Sequence, residues 1–114
     1  MIGVLCWQMK KFRIDVFDCS FYVYRSDELA RFNNDYGVDI GTQSHGVTVG
    51  NGVWIGDSSD DIVGVCYHEA SHVVDWILET RLEMKQGDLL GNAELRAYLL
   101  EHIGGKIRKY CCDV

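Results

Sequence analysis

With 114 residues, 47% of them hydrophobic and 25% charged, the chain has the length and composition of a soluble globular domain with one core. Disordered, fibrous and multidomain readings are thereby disfavoured, and a single domain over 1–114 is expected. The formal net charge of -6 works against nucleic acid as a partner, because affinity for phosphate backbones comes from clustered Lys and Arg.

The amino-terminal run Met1 to Trp7 carries no basic residue ahead of its apolar stretch, so no signal peptide is expected. Nowhere does an apolar stretch approach the roughly 20 residues that span a bilayer. Cys6, Cys19, Cys66, Cys111 and Cys112 form no CxxC pair and are odd in number, which suits reduced thiols and a cytoplasmic location. From Phe12 to Tyr24 aromatic and β-branched residues alternate roughly with polar ones, as in a half-buried strand. Ser26-Asp27-Glu28 then opens a short helix, with Ser26 or Asp27 as cap, an apolar face of Leu29, Ala30 and Phe32, and a stop at Asn33 to Gly37.

Val47-Thr48-Val49 and Val53-Trp54-Ile55 flank Gly50-Asn51-Gly52, a strong hairpin signal. Asp57 to Asp61 offer caps for a long apolar-periodic central helix that ends between Thr80 and Gly87. A second helix is expected from Asn92 to Gly104-Gly105, where glycine can close it. The basic residues from Lys106 to Lys109 that follow are expected to be a solvated tail. The elements together predict an α+β domain, a small antiparallel sheet with its hairpin packed on the central helix and a carboxyl-terminal helix beside it.

At about 100° per residue, His68, His72, Asp75 and Glu79 fall in one stripe of the central helix, while Ile62, Val63, Val65, Val73, Val74, Ile77 and Leu78 cover its other faces. A buried polar stripe needs partners, and a metal ion satisfies two imidazoles at once. His68-Glu69-Ala70-Ser71-His72 has the HExxH spacing, in which imidazoles one turn apart share a tetrahedral ion. A shuffled chain with the same four His and six Glu carries that pattern on the order of 0.7% of the time, so accident is a poor explanation. Glu69 lies too far round the helix to be a comfortable ligand and is placed to act as general base on a metal-bound water.

Catalytic zinc wants a third protein ligand. Glu94, opening the second helix, is the first candidate. Asp75 is some 10 Å along the axis from His68 and suits the outer shell better, where Asp75 or Glu79 would orient a ligating imidazole. Tyr98, one turn beyond Glu94, either packs as a core tyrosine or bonds a ligand or the developing oxyanion. Glu101 is the next candidate ligand, although a solvated position suits it better. His45 is expected at the surface, and His102 as a partly buried helix-end residue.

His68 to His72 followed by Asn92-Ala93-Glu94-Leu95-Arg96-Ala97-Tyr98 resembles the gluzincin group of zinc metallopeptidases. The run Cys66 to Ile77 with Glu94-Leu95-Arg96-Ala97-Tyr98-Leu99 is similar to small metallopeptidases encoded by tailed bacteriophages. The resemblance implies a minimal zincin-like fold, zinc on His68, His72 and Glu94, and a peptide or protein substrate paired with one of the hairpin strands. It also implies the host cytoplasm as the compartment. Two other readings are carried with it: a phage-type interaction or inhibitor protein on a metal-stabilised, non-catalytic scaffold, and metal-assisted hydrolysis of a bond other than a peptide.

Overall fold

The computed structural model describes residues 9–81 and 93–112. The stretch from Phe12 to Tyr24 is not one strand but most of two, β1 (Lys10–Ile14) and β2 (Cys19–Tyr24), joined by a 3-10 turn at Asp15–Phe17. The reversal rests on Asp18, whose φ of 48° is left-handed, a conformation that a short polar side chain tolerates. Its N–H donates to Asp15 O at 3.0 Å, and Arg13 pairs with both Asp15 and Asp18. No Gly, Pro or Asn punctuates this turn, so the alternation runs straight through it.

A 3-10 turn at Ser26–Glu28 leads into α1 (Leu29–Tyr36). The expected caps, Ser26 and Asp27, are not used. Glu28 accepts the Arg25 main-chain N–H at 2.7 Å, and Gly37, at φ 64°, closes the helix. The expected hairpin follows, with β3 (Gly46–Val49) antiparallel to β4 (Gly52–Ile55) and Gly50 at φ 58° in its tip.

β4 lies parallel to β2, so the sheet is mixed, in the order β1-β2-β4-β3, and not the purely antiparallel one expected. The connection through α1 and β3 returns the chain to the end at which β2 began, which is what a parallel neighbour requires. Asn51 fastens the junction by donating to Ser20 O at 3.0 Å and accepting from Tyr22 N at 2.8 Å. Among the described residues β3 is the outer strand on that side.

The pleat divides the core. Phe21, Val23, Val53 and Ile55 face α2 (Ile62–Arg81) and α3 (Ala93–Cys112), whereas Tyr24 and Trp54 pack with Phe32 of α1 on the other face. Asp61 caps α2 by accepting from Gly64 N at 3.0 Å. Ala70, Val73, Val74, Ile77 and Leu78 of α2 are buried, the larger ones contributing roughly 1.5–3 kcal/mol each.

α3 does not stop at Gly104-Gly105. A side chain at Gly104 would meet the Tyr67 ring at 2.3 Å, so this glycine permits close approach of α3 to α2. A mid-helix glycine costs about 1 kcal/mol against alanine. Burial of Ile103 and Ile107 and the packing of Tyr110, Cys111 and Cys112 on the same core offset that cost and carry the helix to Cys112. Cys66 is hydrogen-bonded to Cys111 and lies beside Cys112, which accounts for the adjacent pair as part of the α2–α3 interface, and the bond with Cys111, together with burial, pushes the Cys66 thiol up. Asn92, the expected start of this helix, lies outside the described residues, as does the far end of the range expected for α2. No helix among the described residues is long and apolar enough to cross a membrane.

Candidate metal centre

His68 and His72 project from one side of α2, and both remain exposed, His68 with 69% of its side chain accessible. Their ring centres are 5.2 Å apart and the planes cross at 81°. A tetrahedral ion with bonds of about 2.0 Å to two imidazole nitrogens puts the ring centres roughly 5 Å apart. The ring separation is therefore one that two ligands of a single ion can have.

Between them in sequence, Glu69 turns inward and is only 6% exposed. Its Oε1 accepts from Thr48 Oγ1 at 2.8 Å, while Oε2 lies 3.9 Å from His68 Nε2. The Thr48 hydroxyl is also 3.2 Å from Glu69 O, but it has one proton, and the closer, charged carboxylate is the stronger acceptor. Thr48 thus fixes one carboxylate oxygen and leaves the other beside the first imidazole.

β3 reaches α2 this closely because of Gly46. A Cβ there would stand 2.8 Å from Val65 Cγ1 and 3.1 Å from Glu69 Cγ. On one side of this crossing a cavity of about 450 Å³ is lined by His45, Ser59, Asp61, His68 and Glu69. On the other, about 230 Å³ is lined by Thr48, His72, Asp75, Trp76 and Glu79.

The other expected site residues are placed differently. Asp75 shares a cavity with His72, but its ion-pair partner is Arg96 of α3, not an imidazole. Glu79 is exposed in the same cavity. Glu94 and Tyr98 lie on the exposed side of α3, because Leu99, Ile103 and Ile107 take the side that faces the core. Tyr98 is 68% exposed and parallel to His102, itself exposed in mid-helix, so neither packs inward as expected. Glu101 is exposed, in keeping with its solvated reading.

Among the described residues no three His, Cys, Asp or Glu side chains are grouped closely enough to hold a metal. The structure brings together His68, His72 and Glu69 and does not bring Glu94 to them.

Sequence reasoning passed over Thr48, whereas His45, expected at the surface, is exposed there and also lines the cavity beside Glu69. Both belong to the hairpin segment, far along the chain from the motif, and only the placement of a strand beside the HExxH helix would have pointed to them. Thr48→Val removes the hydroxyl that orients Glu69 without changing side-chain size. It is expected to leave the buried Glu69 carboxylate without its hydroxyl partner and to lower stability by about 1 kcal/mol, as measured by thermal unfolding.

Compared with known proteins, the chain matches no family model, no curated protein and no solved structure.

Proposed function

We propose that this chain is a zinc-dependent peptidase on a minimal zincin-like frame, with His68 and His72 as zinc ligands and Glu69 as general base. The observation that carries the proposal is the 5.2 Å separation of two crossed imidazoles beside a buried carboxylate. Glu94, the third ligand that the resemblance implies, stands exposed on the first turn of α3, so its recruitment to the metal is a separate part of the proposal.

Held by His68 and His72, zinc would supply Lewis acidity toward a carbonyl and would lower the pKa of water toward about 7. The chain's own groups do the rest. Glu69 Oε2 takes a proton from the attacking water and returns it to the amine nitrogen as the C–N bond breaks. Thr48 holds the carboxylate in the orientation both transfers need. An extended peptide lies along β3, whose main chain, among the described residues, pairs with β4 on one side only, and its side chains enter the two flanking cavities.

Glu69 also separates this reading from the non-catalytic one, since a structural zinc has no use for a carboxylate beside its first ligand. Digestion of a mixed peptide library by the zinc-loaded protein is the test. Cleavage that a chelator abolishes and added zinc restores is expected. Stoichiometric zinc without cleavage would transfer the site to a binding or inhibitory role.

A further inference from the structure

Lys106 and Lys109 are solvent-exposed, as expected, but stand on a helix and not in a tail. Both are on α3, and with Lys10 of β1, Arg25 after β2, Phe12 and Tyr110 they line a cavity of about 370 Å³. Four cationic residues from three parts of the chain thus converge on one pocket in a protein of net charge -6, and among the described residues no acidic side chain lines it. Among the described residues none of the four has a carboxylate at ion-pair distance. Glu28, buried nearby, spends its Oε1 on the Arg25 main-chain N–H and the Tyr110 hydroxyl.

The pocket is also preorganised. The Arg25 guanidinium stands 4.0 Å from the centre of the Tyr110 ring, and its Nε donates to Tyr110 O at 3.0 Å. That contact fixes the guanidinium while leaving its terminal nitrogens unassigned. Lys10 Nζ and Lys106 Nζ stand 5.9 and 6.0 Å from the centre of the Phe12 ring. The ammonium groups that line this one cavity are like charges, and a multiply charged anion between them relieves their repulsion.

We propose that this pocket binds a small phosphate-bearing ligand whose phosphate oxygens are held by Lys10, Arg25, Lys106 and Lys109. Compact lysine point charges together with one oriented guanidinium suit a dense, multivalent oxyanion. A cavity of this size holds a diphosphate and not an extended acidic chain. Lys106 and Lys109 also line an adjoining cavity of about 460 Å³ that includes Tyr98 and His102, whose parallel rings offer a surface for a planar group. Free diphosphate and nucleoside diphosphate share the anchoring chemistry and differ in their use of that second cavity.

Calorimetric titration of the full chain with inorganic pyrophosphate, ADP and citrate tests the proposal. Pyrophosphate is expected to bind with Kd of about 0.1 mM or tighter at low salt, and a Lys10→Ala/Lys106→Ala double variant to bind at least about tenfold more weakly. Both side chains are exposed, and the fold does not depend on them. Tighter binding of ADP than of pyrophosphate would identify a nucleotide as the ligand, and equal binding the diphosphate alone. No binding of either at about 5 mM, citrate binding as tightly as pyrophosphate, or wild-type affinity in the double variant would overturn the proposal. The double variant keeps His68 and His72, so phosphate captured by a metal there would survive it and is told apart from binding at the lysines.

Discussion

Glu69→Gln is expected to lower kcat/KM for peptide hydrolysis by about 10³-fold while leaving zinc content and thermal stability at wild-type values. Glutamine keeps the size of the side chain, stays in the same buried position and can still accept from Thr48 Oγ1 through its amide oxygen. It cannot take a proton from water or return one to the leaving amine. General acid–base catalysis contributes roughly 10²–10⁴-fold to a rate, and one carboxylate serving both transfers places this variant at the middle of that range and not at its lower end. A Glu69→Gln protein that holds zinc and hydrolyses peptides at the wild-type rate would remove Glu69 from the mechanism. Assays below KM with an internally quenched peptide read the quantity directly.

His72→Ala is expected to weaken zinc binding by about 10³-fold, some 4 kcal/mol, and to reduce hydrolysis to background at limiting zinc. The imidazole is exposed and alanine is the better helix former, so the change in folding stability should stay within about 0.5 kcal/mol. Competition for zinc against a chromophoric chelator measures the affinity, and thermal unfolding of the metal-free proteins measures the stability. Loss of fold with loss of zinc would point to a structural ion instead. Glu94→Ala in the same assay separates the two parts of the zinc proposal. Weakening of about tenfold or more means that Glu94 is drawn to the metal, while wild-type affinity leaves His68 and His72 without it.

Features that depend on local periodicity were legible in the chain. Gly50-Asn51-Gly52 between β-branched runs specified the β3–β4 hairpin, and the spacing of His68 and His72 put both rings on one side of α2. Features that depend on tertiary approach were not. The reversal at Asp18 carries no turn residue in its favour except an aspartate that accepts left-handed φ, so β1 and β2 merged into one strand. Gly104 looked like a helix stop because glycine commonly is one, whereas here it makes room for Tyr67 between packed helices.

The parallel pairing of β2 with β4 is a long-range choice that neither strand announces. The site divides in the same way. His68, Glu69 and His72 are neighbours in sequence and were found together. Thr48 and His45 reach the site only because β3 crosses α2, and Lys10, Arg25 and Lys106 converge only because β1 and the end of β2 lie beside α3. In the other direction, the helical spacing that linked Glu94 to Tyr98 held, but both occupy the face of α3 turned away from the core.

Diffraction from zinc-soaked crystals, recorded on both sides of the zinc absorption edge, tests the central claim most directly. The expected result is one anomalous peak about 2.0 Å from a ring nitrogen of His68 and of His72, with the Glu69 carboxylate nearby but not coordinating. No peak at that position, with each imidazole bonded instead to neighbouring side chains, would contradict it.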